Sequence, residues 1–411
     1  MKIITDNNKY SVLYNTNVNF IIKNKIVKIT SADIVSMAYI CNYDTMTYPI
    51  FRIRIYSDLK IITELCDNPD DINVKISMDG NIYRMSENGS PTPVAGATSI
   101  SFQLKGYIEN KNIPTSTMDQ YRDGIKIKND MNNNIKYPIE VYCYNYDLIH
   151  SAKAVTQSIY KNMSLDTAIK DMFTRVQNEP ISLDPIDNHT KYKQILIPSL
   201  NLVDSLVYLE LYYGLYKKGA QVFGDIDKTY VCSIDTSSIP NNVLPIYVSS
   251  GNNNSDVSGL KKESTSSSYK MCTLASNVSV TTESDIEKVM NGSYVASIDY
   301  KDNKLNIEAI DKFKEEKTIT VPHTLHQYNN DFIAGMQTAR INERITTIDV
   351  AGVGYDVFSM KINSRYNFIF ESPMRGFDIN KLYRPCYGVH IFTNMDADLF
   401  IAESTFTMCT N

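Results

Sequence analysis

A two-residue hydrophobic period across the N-terminal third restricts the fold of this chain more than any other feature. Phe51, Ile53 and Ile55 alternate with Arg52, Arg54 and Tyr56, and Ile72, Val74, Ile76 and Met78 repeat the pattern. Successive side chains along a strand point to opposite faces, so this spacing sends one row to a core and the other to water. Asp79-Gly80 follows directly. That pair tolerates the positive φ angles of a tight turn, and it predicts a hairpin with Ile82, Tyr83, Arg84 and Met85 on the return strand. Ile100, Phe102 and Leu104 then alternate with Ser101 and Gln103. The expectation is a small antiparallel sheet or barrel.

The period changes after about residue 150. In SLDTAIKDMFTRV, Leu165, Ala168, Ile169, Met172 and Val176 share one face of a helix that Ser164 opens, with Asp166 in its first turn. Pro180 and Pro185 mark the loop that follows. Beyond Pro198, Asn201 is the expected N-cap of a second helix, and Asp204 is placed to reach back in a capping box. Leu202, Leu206, Leu209 and Tyr213 form its apolar stripe, and Gly214 is its expected stop. Leu206→Asp or Leu209→Asp is expected to abolish soluble expression, while Glu210→Ala, off the stripe, is not. Gly219 leads into strands around Val222-Phe223 and around Tyr230, Cys232 and Ile234.

Residues 249–268, SSGNNNSDVSGLKKESTSSS, carry only Val257 and Leu260 as aliphatic anchors. Such a stretch buries too little surface to offset its ordering entropy, so a mobile loop is expected, cut first by proteases near Lys261-Lys262. Strands are then expected over 345–350, 357–362, 366–370, 389–393 and 399–406. No short repeat suggests a solenoid or propeller.

Composition excludes several function classes. With 43% hydrophobic and 21% charged residues the chain is neither disordered nor fibrous. A net charge of −5 without a basic stripe argues against nucleic-acid binding. Cys41, Cys66, Cys143, Cys232, Cys272, Cys386 and Cys409 are odd in number and far apart, as expected of buried reduced thiols rather than a disulfide frame or a metal site. MKIITDNNKYSVLY lacks the apolar core of a signal peptide, and no stretch approaches the ~18 apolar residues of a membrane span.

Candidate chemistry is sparse. His323 and His326 make an H-x-x-H, but zinc helices space two histidines four apart around an acid, and Pro322 precedes this pair. Ala351-Gly352-Val353-Gly354 fits neither a dinucleotide fingerprint nor a phosphate loop, and reads as a tight strand-to-strand turn. No G-x-S-x-G is present, and nothing selects a pair among the carboxylates. The 29 tyrosines are scattered among strands, as expected of sheet edges and subunit interfaces. The expected assignment is therefore no catalytic residue, no cofactor and no metal.

Two segments carry a family resemblance: PIEVYCYNYDLIHSAKAVTQSIYKNMSLDTAIKDMFTRV, residues 138–176, and ILIPSLNLVDSLVYLELYYGLYKKGAQVFGDIDKTYVCSID, residues 195–235. A strand, a short helix, the entry Pro198-Ser199-Leu200-Asn201, an aromatic helix ending Tyr213-Gly214-Leu215-Tyr216 and a strand pair resemble the central hub protein of tailed-phage baseplates. The resemblance implies a mainly β (α+β) fold, with tube-like antiparallel β-barrel domains and an inserted helical α/β segment. It implies a β domain over 1–137, a helix-containing hub segment over 138–235, and a second β domain over 236–411. It further implies a virion protein assembled in the host cytoplasm. As a homotrimer, it would join tail tube or distal tail proteins to a central spike as a symmetry adaptor around a channel that DNA traverses. A tail-associated cell-wall hydrolase and a receptor-binding tail protein are the alternatives.

Overall fold

The structure, a computed structural model, describes residues 10–43, 48–85, 91–108, 128–129, 135–176, 181–216, 220–233, 243–248, 272–273, 278–282, 294–299, 304–309, 318–320, 346–360, 362, 364–370, 382–396 and 398–409. The 249–268 stretch and the His323/His326 pair lie outside them.

The chain opens with β1 (Tyr10–Ile22), β2 (Lys25–Ile29), β3 (Ile34–Asn42), β4 (Ile50–Asp58), α1 (Leu59–Asp67), β5 (Ile72–Met85), β6 (Pro91–Ile108) and β7 (Ile135–Tyr144). A helical stretch follows: α2 (Tyr146–Lys153), β8 (Val155–Met163), α3 (Leu165–Val176), β9 (Tyr192–Asn201) and α4 (Leu202–Tyr213). After it come β10 (Ala220–Gly224), β11 (Thr229–Ser233), β12 (Val243–Val248), β13 (Thr346–Val353), β14 (Arg365–Phe370), β15 (Arg384–Asp396) and β16 (Leu399–Cys409).

Strand pairing closes on itself. β1 pairs with β5, β5 with β6, β6 with β7, β7 with β4, β4 with β3, β3 with β15, β15 with β16 and β16 with β1, each pair antiparallel. Closure satisfies strand edges that an open sheet would expose. β15 and β16 were expected in a second β domain over 236–411, yet they complete the barrel begun by the N-terminal strands. Their inward residues explain it, since Phe392, Phe400, Ala402 and Phe406 join one core with Val12, Tyr14, Phe51, Ile53 and Ile76.

That core fills the barrel. After β13 the chain turns inward, and Phe358 stacks on Phe392 at 5.8 Å and meets Tyr14 edge-on at 5.6 Å. The Tyr14 hydroxyl donates to Asp356 Oδ1 at 3.1 Å and accepts from the Val357 amide at 2.9 Å. Asp356 Oδ2 also accepts from the amide and hydroxyl of Thr98, at 3.0 and 2.8 Å. The interior is an aromatic core in which the Tyr14 hydroxyl and the Asp356 carboxylate are fully engaged.

The helical stretch has its own core, in which Leu165, Ala168, Ile169 and Met172 of α3 meet Leu202, Leu206 and Leu209 of α4 under Tyr160, Ile195 and Ile197 of the β8–β9 pair. Asn201 caps α4 as expected, its side chain accepting from the Asp204 amide at 2.8 Å. Asp204 reaches back to the Asn201 side-chain amide at 2.6 Å. Gly214 stops the helix with φ at 70°.

Four local expectations are corrected. Asp79-Gly80 is not a turn: β5 runs straight through it, and the ladder to β6 shifts register there. A Cβ on Gly80 would come within 2.5 Å of the Thr98 carbonyl oxygen and 3.0 Å of the Tyr14 ring, so the glycine serves close approach. The two-residue turn lies instead between β1 and β2, where Lys23 and Asn24 both hold positive φ, at 46° and 66°. The strand expected over 357–362 is a 3₁₀ turn, Val357–Ser359, because the chain plugs the barrel there. The tight turn expected at 351–354 is the end of β13, paired with β16 through Val353, after which Gly354 takes φ +70°. Finally, Glu210 is buried, and its carboxylate accepts from the Leu215 amide at 2.8 Å and the Ala220 amide at 2.7 Å. It holds the turn after α4, a role invisible to a helical-stripe argument.

Candidate assembly surface

Because the inward row of every barrel strand belongs to the core, contacts with other molecules fall to the outward rows. These differ around the barrel. On β1, β5 and β6 the paired rows run Asn19–Lys75–Gln103, Asn17–Ser77–Ser101 and Asn15–Asp79–Ser99. These nine polar side chains are exposed or half-buried, and Ser77 and Ser101 hydrogen-bond across the strands at 3.1 Å.

Across β13, β16, β15, β3 and β4 the rows run Val353–Glu403–Ile391–Ala38–Arg52 and Ala351–Thr405–Val389–Ile40–Ile50. Val353 is 52% exposed, Tyr387 42% and Ile391 36%, while Val389, Ile40 and Ile50 are half-buried. Exposed Glu403 and Thr405 interrupt these side chains, so the wall is a mixed patch whose open apolar groups are Val353, Tyr387 and Ile391. At its far edge, Arg52 and Arg54 hold Glu140 at 3.4 and 3.0 Å. The sequence carried a signal that the period-two argument passed over, since β3 reads Ile-Val-Ser-Met-Ala-Tyr-Ile-Cys with apolar residues on both faces.

The β10–β11 hairpin joins the helical stretch to the barrel. Tyr230 and Cys232 pack into the barrel core, while Val231 between them packs into the helical core. Gly224 lies against the Tyr48 ring, which a Cβ would strike at 2.2 Å, and the Tyr48 and Thr229 hydroxyls hydrogen-bond at 2.9 Å. The hairpin tip puts Asp225 beside a cavity of about 230 Å³ lined by Tyr39, Tyr43, Phe358, Tyr387 and His390. Asp225 Oδ1 accepts from the Tyr39 hydroxyl at 3.2 Å and the Ile226 amide at 2.8 Å. Burial dominates over these bonds and pushes its carboxyl up to about 6. Burial likewise depresses the His390 imidazole to about 3, leaving it neutral beside the Tyr355 hydroxyl at 3.1 Å. The thiols of Cys41 and Cys232 are pushed up to about 12 by burial, which makes them packing groups rather than nucleophiles.

Among the described residues, no three His, Cys, Asp or Glu side chains come together to hold a metal, and no helix is long and apolar enough to cross a membrane. What the geometry offers is surface: one polar wall, one apolar wall and a seam to a helical segment.

The fold is that of phage tail proteins. The tail protein from Neisseria meningitidis MC58 superposes with a TM-score of 0.52 over 97% of this chain and 97% of its own, at 11% identity. The 43 kDa tail protein of prophage MuSo2 from Shewanella oneidensis gives 0.50 over 96% and 97%, at 10% identity. Among curated proteins, none matches the sequence. The family model described as Bacteriophage PBS1 gene 109 protein matches residues 3–397, and the chain belongs to that family.

Proposed function

We propose that this protein is a structural subunit of the phage tail tip: a hub that assembles as a homotrimer and joins the tail tube to the central spike. The observation that carries the reading is a barrel with a filled interior and an apolar outer wall. A solid barrel conducts nothing, so any channel must run between copies, bounded by outer walls. Apolar rows suit the contacts between copies and a polar wall suits the water-filled side. Family membership and the tail-protein fold support a place in the virion. In this reading the barrel is built from both ends of the chain, and the 138–235 segment is the platform that meets neighbouring tail proteins. The work is geometric, matching a sixfold tube to a threefold spike, and needs no catalytic residue.

Light scattering on the purified protein at micromolar concentration tests the reading. The expected mass is three times 46.7 kDa. A stable dimer, or a monomer at every concentration, would contradict it.

A further inference from the structure

The apolar barrel wall has a counterpart in the helical segment. β8 and β9 form a two-stranded sheet whose inner residues, Tyr160, Ile195 and Ile197, close the helical core. Its outer face carries Val155, Ile159 and Leu196, which are 69%, 57% and 45% exposed, with Leu196 directly across from Ile159. Among the described residues nothing covers these aliphatic groups, which share the face with exposed Gln157, Lys161 and Gln194.

The two faces carry opposite charge. On the outer row of β8 and β9 the charged side chain is Lys161, exposed and across from Gln194, and no carboxylate is present, while Lys193 alternates onto the row of Ile195. β13, β15 and β16 contain Asp349, Asp396 and Glu403 and no lysine, and their single arginine, Arg384, is buried. Glu403 stands in the middle of the apolar rows, between Val353 and Ile391. Either face against its own copy would bring like charges together, whereas one against the other pairs them.

We infer that the two faces meet head to tail between copies of this chain, the β8–β9 face of one copy covering the β13–β16–β15–β3 wall of the next. This rests on the proposed assembly of identical subunits and identifies its contact. A contact between two different patches closes into a ring when the rotation per step allows, while a patch that binds itself stops at a pair. A carboxylate introduced into either face would be buried against the partner's aliphatic side chains, and the one lysine available, Lys161, is already matched by Glu403, so the change removes the contact and leaves the fold intact.

Two variants test the inference, Ile391→Asp on the wall and Ile159→Asp on the hairpin face, with Val353→Asp and Val155→Asp as more exposed alternatives should either fail to fold. Each variant alone is expected to lose the assembled mass and run at 46.7 kDa with unchanged circular dichroism. Mixed, they leave one intact contact, from the wall of the Ile159 variant to the hairpin of the Ile391 variant, so a one-to-one complex of twice 46.7 kDa is expected. If the Ile159 variant assembles like the wild type, or the mixture stays monomeric, the head-to-tail contact is wrong while the assembly reading stands. A wild type that never exceeds 46.7 kDa overturns the assembly reading itself.

Discussion

The β1–β5–β6 wall and the β13–β16–β15–β3 wall enclose the same aromatic core and differ only in their outward rows. The first shows three asparagines, three serines, a glutamine, a lysine and an aspartate. The second shows Val353, Ala351, Ile391, Val389, Ala38 and Ile40 around one glutamate and one threonine, Glu403 and Thr405. Strand propensity and the inward row account for neither difference, because both walls fold equally well onto their shared interior. The outward rows therefore record what lies outside the subunit, and the contrast separates residues chosen for folding from residues chosen for contact.

The largest effect expected is on what the walls share. Phe392→Ala removes a ring packed between Tyr14 and Phe358, and should lower stability by about 3–5 kcal/mol, read from denaturant titration. A loss under ~1 kcal/mol would mean that the interior is loosely packed and that the walls are not braced by one core.

Glu210→Ala comes next. A buried and a half-buried amide lose their acceptor, so a loss of about 2–4 kcal/mol is expected, and Glu210→Gln should recover part of it. Thermal melts of the three proteins check this. A neutral alanine would show that the turn after α4 finds other partners, and the β10–β11 seam would then be less fixed than the walls it joins.

Asp225→Asn acts at that seam. The folded carboxyl titrates at about 6, against about 4 in an unfolded chain, so above pH 6 the fold carries a buried charge at a cost of about 2–3 kcal/mol. Below pH 4 both states are protonated and the cost disappears. The variant should be more stable than wild type at pH 8, with an advantage that shrinks from pH 6 to pH 4. Equal stability across this range would show that the carboxylate is better solvated than its burial indicates.

The smallest stability effects sharpen the comparison most. Asn17→Val and Val353→Asp both sit on outward rows and should each shift stability by less than ~0.5 kcal/mol in the isolated subunit. Sedimentation should show assembly intact for the first and lost for the second. Matching behaviour of the two would erase the distinction between the walls.

Much of this architecture was legible in the sequence, and the failures have physical causes. Helices α3 and α4 were readable because a 3.6-residue stripe and the Asn201 cap are local signals, written within a few residues. The inward rows of β4 and β5 were readable for the same reason. Gly80 misled because a glycine needed for close approach to Tyr14 looks the same in sequence as one needed for a turn. The return of β15 and β16 to the N-terminal barrel depends on pairings such as Val389 with Ile40, hundreds of residues apart, and no local pattern encodes them. Glu210 and Asp225 were missed because their importance lies in burial, which their residue type argues against. The apolar wall left a trace in the double-faced β3, but a residue that faces a partner and one that faces a core are equally apolar.

The central claim is that in the assembled protein the apolar wall is covered and the polar wall stays wet. Thiol labelling of Val353→Cys and Asn17→Cys, in the native assembly and in the monomeric Ile159→Asp background, measures this directly. Both positions are open in the single subunit, where the two thiols should react at similar rates. In the assembly the account predicts that the thiol at 17 keeps its rate while the thiol at 353 slows by on the order of tenfold or more. Equal labelling of both in the assembled protein, or protection of 17 in place of 353, would contradict it.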